Sequence, residues 1–138
     1  MEQTTLAEFA IEVGVTRTLN VQPLLHEIRH ALAQLLEQGK ETVIDLRGIP
    51  LAPGEEVAIE QALGEGEVRA TLSALGPSEI RETSFPGVWL VTHYNNDNQI
   101  VGKFVEVAAV PALLMSQTED MAAGLERLKA RLLDTAAS

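Results

Sequence analysis

His26-Glu27-Ile28-Arg29-His30 matches H-E-x-x-H. At this spacing two imidazoles one helical turn apart share a face and bind zinc, while the glutamate activates the metal-bound water. A helix is predicted over the same stretch, with Leu24, Leu25, Ile28, Ala31, Leu32, Leu35 and Leu36 on one arc of its wheel. His26, His30 and Glu37 fall opposite that arc, so both imidazoles are expected to face solvent rather than a cleft. A zinc hydrolase also needs a third ligand and a substrate groove, and His93, the remaining histidine, belongs to a distant segment. The motif leaves three readings: a solvated polar face, a surface metal site built from His26, His30 and Glu37 or Glu27, and a zinc-dependent hydrolase.

Gly64-Glu65-Gly66-Glu67 has the glycines of a phosphate loop but neither the G-x-x-x-x-G-K-[ST] nor the G-x-G-x-x-G pattern, and its carboxylates would repel a phosphate. It reads as a helix cap followed by a tight entry into a strand, with Glu65 and Glu67 as an acidic rim suited to a basic partner segment. Phe85-Pro86-Gly87-Val88-Trp89 sets two large aromatic side chains around a Pro-Gly turn. Such rings are core anchors or, where partly exposed beside a turn, interface hot spots. Glu65, Glu67, Phe85, Pro86 and Trp89 are therefore the candidate partner-binding residues. Arg47, Arg69 and Arg81 are expected to pair with carboxylates, with Glu82 and Glu106 as cross-strand partners. Ser73, Ser78 and Ser84 lack a nucleophile-elbow context, so no catalytic residue is assigned.

The elements that position these residues follow from periodicity. Phe9, Ile11, Val13 and Val15 alternate with Glu8, Ala10, Glu12 and Gly14 as a half-buried strand would. Pro23 suits the first turn of the helix that carries the histidines, and Gly39 is its C-cap. Thr42–Leu46 reads as a strand broken by Gly48-Ile49-Pro50. Pro53 at a helix start, Glu55 and Glu56 in the first turn and Gly64 after Leu63 predict a helix of about three turns. Strands follow at Val68–Leu72, Ile80–Ser84, Val88–Tyr94 and Gln99–Val107, the last two joined by the turn Asn95-Asn96-Asp97-Asn98 as a hairpin. Val88 and Leu90 share one face of their strand and Trp89 and Val91 the other, so either both faces are covered or one is a docking surface. Ser116 with Glu119 is a capping-box candidate for a terminal helix whose apolar stripe is Met121, Leu125, Leu128 and Leu132. Together these predict an α+β domain: a mainly antiparallel sheet of four to five strands with helices packed on one face.

Composition narrows the function. The 138 residues fit one domain spanning 1–138, and 46% hydrophobic residues supply a core. Twenty Asp plus Glu against ten Lys plus Arg give a formal charge of −10, which disfavours nucleic acid and anionic membranes. No apolar run approaches the roughly 20 residues that span a bilayer, and the acidic start Met1-Glu2-Gln3 is unlike a signal peptide, so a soluble cytoplasmic protein is expected. There is no cysteine, which removes disulfides and thiolate ligation of an iron–sulfur cluster. No cofactor is expected.

The GEGEV turn, the IRET-x-FPGVW segment from Ile80 to Trp89 and FVEVAAVPALL from Phe104 to Leu114 resemble the C-terminal conserved region of the HupH/HyaF-type hydrogenase expression/formation proteins. LLHEIRHALAQLLEQGKETVIDLRGIPLAPGEE, from Leu24 to Glu56, is similar to the same family, so the resemblance covers most of the chain. It implies an accessory factor in nickel-iron hydrogenase maturation rather than an enzyme. Such a factor would bind an immature hydrogenase subunit, the iron–sulfur small subunit first among them, together with other maturation proteins, and assist cofactor insertion or assembly. The alternative remains a metal-binding protein or zinc hydrolase built on His26-Glu27-x-x-His30, where nothing in the spacing selects nickel over zinc.

Overall fold

A strand that is apolar on both sides must be covered on both sides, and Val88–Tyr94 sets the architecture. The computed structural model describes residues 20–74 and 76–137; the predicted strand around Phe9–Val15 lies outside them. In chain order the elements are α1 (Val21–Gln38), β1 (Thr42–Asp45), α2 (Glu55–Leu63), β2 (Arg69–Leu72), β3 (Ser78–Glu82), β4 (Val88–Tyr94), β5 (Ile100–Val107) and α3 (Thr118–Ala137). The five strands form one antiparallel sheet in the order β1-β5-β4-β3-β2, giving the predicted α+β arrangement.

The register divides the side chains as the alternation requires. Pairing Leu90 with Val105 and Ile44 with Val105 puts Val88, Leu90, Val105, Val107 and Ile44 on one face. There they meet Val21, Leu24, Ile28 and Ala31 of α1 and Ile59 and Leu63 of α2. On the opposite face Ile80, Trp89 and Val91 form a second cluster with Ala70, Leu72, Phe104 and Leu114. Trp89 is 6% exposed and its indole donates to the Ala108 carbonyl at 3.0 Å. Both faces of β4 are thus covered.

Helix ends follow local chemistry. Gly39 caps α1 at φ 70° and donates to the Leu35 carbonyl, the left-handed cap that glycine adopts without a Cβ penalty. Leu36 departs from its predicted place in the packing arc and is 81% exposed, because it lies at the arc margin in the last turn. Helix α2 begins two residues after Pro53, with Gly54 at its N-cap. Glu55 is buried there: its carboxylate accepts from the Ala52 N–H at 2.7 Å, the Asn20 side-chain amide at 2.9 Å and the Asn20 N–H at 3.0 Å. That carboxylate joins the start of α1 to the start of α2. The predicted hairpin closes on Asn95, whose Oδ1 accepts from the Asp97 and Gln99 N–H groups, with Asn98 at φ 61°. Helix α3 begins at Thr118, after the predicted Ser116 cap, and its apolar stripe stays exposed.

The helix-covered face also carries charge. Lys103 stands opposite Thr92, its side chain 8% exposed, with Nζ 2.8 Å from Glu56 and 2.6 Å from Glu60. Burial lowers the ammonium pKa, but hydrogen bonds and attraction from Glu56 and Glu60 outweigh it, leaving the pKa above its ordinary 10.5. The stabilisation from this shift is therefore complete below the unfolded-state pKa and lost as pH rises through the folded one. In denaturant unfolding, the margin of the native protein over Lys103→Met is expected to narrow above pH 10.5 and stay constant at neutral pH. Replacing both partners, Glu56→Gln with Glu60→Gln, strands the ammonium and should cost about 3–5 kcal/mol. Lys103→Met should cost less, since its two carboxylates remain 33% and 28% exposed. Glu55→Ala, which takes the acceptor from the Ala52 and Asn20 N–H groups and leaves the Asn20 side-chain amide only the Pro50 carbonyl, should lower stability by about 2–4 kcal/mol in the same assay.

Candidate functional site

The GEGEV turn and the FPGVW turn are held together by backbone bonds. Ser84 N–H and Oγ both donate to the Leu63 carbonyl, at 2.9 and 2.7 Å, and Gly66 N–H donates to the Glu82 carbonyl at 2.8 Å. A Cβ at Gly66 would stand 2.5 Å from the Thr83 carbonyl oxygen, so the close approach requires glycine. Glu82 Oε1 accepts from the Glu67 and Val68 N–H groups, at 3.0 and 3.3 Å. Capture of Ser84 by the end of α2 explains why β3 runs Ser78–Glu82 instead of extending to Ser84.

Thr83 organises the second turn. Its Oγ1 lies 2.8 Å from the Val88 carbonyl and accepts from the Phe85 N–H at 3.1 Å. Val88 N–H donates to the Phe85 carbonyl across Pro86 and Gly87. Gly87 has φ 92°, the value a type II turn requires at its third position, and Pro86 presets the second. Phe85 is pushed outward, 46% exposed, with Pro86 exposed beside it.

Below Phe85 lies an apolar groove of about 310 Å³ between the helices and the sheet, lined by Leu25, Ile28, Leu32, Leu63 and Val88. Arg29 also borders it. Of the predicted partner-binding residues, Glu65, Glu67, Phe85 and Pro86 come together at this end of the molecule as exposed groups, while Trp89 lies inside the second cluster. Leu25, Leu32 and Ala62, which also line the groove, were not singled out by sequence. Leu25 and Leu32 read only as members of the packing arc of the first helix, and Ala62 carried no signal of its own.

Glu65 is already engaged. Its Oε1 accepts from Arg69 Nη2 at 2.9 Å and lies 3.9 Å from Arg81 Nη1. Arg81 also donates to the Gly64 carbonyl at 3.0 Å and lies 3.7 Å from Glu60. The expected use of Glu82 and Glu106 as arginine partners is replaced. Neighbours along a strand point to opposite faces, so Glu82 leaves Arg81 and caps the Glu67 and Val68 amides, while Glu106 accepts from the Ala112 N–H. Arg47 lies exposed just after β1.

His26, Glu27, His30 and Glu37 are all exposed on α1. Among the described residues no group of three or more His, Cys, Asp or Glu side chains is arranged to hold a metal ion. His93 stands across the sheet, where Nδ1 is 2.7 Å from Ser78 Oγ and the ring meets Phe104 edge-on at 5.6 Å. The cross-strand pairing of Ser78 with His93 creates this contact, which sequence spacing alone does not reveal. Among the described residues no helix is long and apolar enough to cross a membrane.

The profile of the HupH hydrogenase expression protein C-terminal conserved region matches residues 18–134. The chain is 31% identical over 113 residues to the hydrogenase expression/formation protein HupQ of Azotobacter chroococcum mcd 1, covering 80% of this chain and 40% of that protein. It is 29% identical over 111 residues to the hydrogenase expression/formation protein HupH of Rhizobium leguminosarum bv. viciae, covering 80% of this chain and 39% of that one. It thus spans about 40% of the length of these curated relatives. The solved structure of the hydrogenase expression protein HupH from Thiobacillus denitrificans ATCC 25259 superposes with a TM-score of 0.81 at 44% identity, over 86% of this chain and 98% of that one. Sequence pattern, fold and relatives agree, and the chain belongs to the HupH hydrogenase expression protein family.

Proposed function

We propose that this chain is a non-catalytic binding module of nickel-iron hydrogenase maturation that holds an immature hydrogenase subunit while cofactor insertion or assembly proceeds. The observation that carries this reading is the exposed Phe85 ring, held over an apolar groove and tied through Ser84 and Gly66 to an acidic turn. An apolar segment of the partner would enter the groove and a basic flank would meet Glu67 and, by exchange with Arg69, Glu65. Trp89 supports the surface from within by fixing β4 to the Ala108 carbonyl. The favoured partner is the iron–sulfur small subunit, a choice with which the absence of cysteine from this chain is compatible, since clusters would remain on the recipient. Family membership supports the maturation setting.

Affinity purification from cells making the hydrogenase, with mass spectrometry of the co-purifying chains, is expected to recover a hydrogenase subunit precursor. Phe85→Ala should keep its fold and weaken capture by about 1–3 kcal/mol. Reversing Glu65 and Glu67 to lysine should chiefly reduce the salt sensitivity of association. Trp89→Ala should lower the melting temperature as well as capture, which separates support from contact. Unchanged capture by a folded Phe85→Ala protein would remove this surface from the reading. Loss of bound metal and of maturation together in His26→Ala and His30→Ala variants would replace the module with a metal carrier.

A further inference from the structure

The backbone around the apolar groove is already hydrogen-bonded. The Leu63 carbonyl accepts from Ser84 N–H and Oγ, Phe85 N–H donates to Thr83 Oγ1, and Val88 donates to the Phe85 carbonyl while its own carbonyl accepts from Thr83. Val88 opens β4, which is paired with β3 on one side and β5 on the other, whereas the free edges of the described sheet belong to β1 and β2. An extended segment lying in the groove would therefore leave its own N–H and C=O groups unpaired against leucine, each at a cost comparable to a lost hydrogen bond. A helix brings its backbone bonds with it.

The wall formed by α1 has the matching shape. Leu25, Arg29, Leu32 and Leu36 follow one another at steps of four, three and four residues, so they run along one side of the helix for about 16 Å. Leu25, Arg29 and Leu32 line the groove, and Leu36, 81% exposed, continues the same line one turn further. Arg29 is the charged side chain of the lining. Three and four residues from it stand Leu25, His26, Leu32 and Ala33, so α1 places no carboxylate at pairing distance; Glu27 falls on the far side of the helix and Glu37 about two turns on. Glu65 and Glu67 belong to the turn after α2, where Arg69 holds Glu65. The α1 wall is thus positive and the α2 side negative. We propose that the groove takes an amphipathic helix of the hydrogenase subunit, its apolar stripe lying along Leu25, Leu32 and Leu36 and a carboxylate on its flank meeting Arg29, an inference that rests on the groove being the docking surface.

The probe is a fluorescein-labelled model peptide of about four helical turns, with leucines at alternating three- and four-residue steps, glutamate on one flank of the stripe and glutamine elsewhere. With the full chain it should gain fluorescence anisotropy and helical circular dichroism, and a version with proline at its centre should bind about tenfold more weakly. Leu36→Gln and Arg29→Glu should each weaken the complex by about threefold to tenfold without lowering the melting temperature. Arg47→Glu, the same charge change at an exposed position after β1, should leave it unaltered. Exchanging the peptide's glutamates for lysine should reverse the sign of the Arg29→Glu effect. No binding of the leucine peptide, equal binding of its proline version, or binding indifferent to Leu36→Gln and Arg29→Glu would each overturn the proposal. Peptide binding that Phe85→Ala weakens but Leu36→Gln does not would retain the docking surface and remove the helix from it.

Discussion

The burial of β4 on both faces is the constraint from which the remaining structure follows. Val88 and Leu90 face the helices while Trp89 and Val91 face the second cluster, and all four are nearly inaccessible. A one-residue slip would exchange the two sets of side chains, so the register is fixed by packing on both sides at once. The neighbours β3 and β5 inherit it. Their ends carry what surrounds β4: Thr83 leaves β3 to brace the Phe85 turn, and Ala108 leaves β5 to receive the Trp89 indole.

Much of this was legible because the relevant signals are local. Asn95–Asn98 as a hairpin turn, Gly39 as a left-handed cap and the arc Leu24, Ile28, Ala31 as buried all depend on residues close in sequence. The order β1-β5-β4-β3-β2 places the early strand β1 beside the last strand, a long-range pairing that alternation cannot specify. The same holds for Glu55. In sequence it is one of two acids complementing a helix dipole; in the fold it is a buried staple, because Asn20 comes from 35 positions away to donate to it. Lys103 is a lone cation in an apolar strand, and its meaning appears only when α2 brings Glu56 and Glu60 above it.

The candidate site divides in the same way. Its turn chemistry, Gly64, Gly66, Pro86 and Gly87, was readable as local backbone requirements. Its groove was not, since Leu25 and Leu32 from one helix, Leu63 from another and Phe85 from a turn converge only in three dimensions. Trp89 and Phe85 illustrate the limit of composition. Both are large aromatics around one Pro-Gly turn, yet strand alternation sends Trp89 into the second cluster, and the turn geometry sends Phe85 outward.

Charge connects the buried network to that surface. Glu60 lies between Lys103 and Arg81, and Arg81 in turn holds the Gly64 carbonyl and approaches Glu65. The chain from β5 through α2 and β3 ends at the exposed acidic turn, so the turn is positioned by groups that are themselves largely withdrawn from water. Pairs at the buried end act in a weakly screened setting, while the Glu65–Arg69 pair, with side chains 68% and 56% exposed, is screened and adds little stability. On the proposed reading, a partner cation competing for Glu65 would displace an arginine at small cost, whereas the backbone that presents Glu65 would stay fixed. A firm scaffold ending in a weakly held surface pair suits exchange of one cation for another, whereas the HEIRH face of α1 is solvated and, among the described residues, has no third ligand beside it.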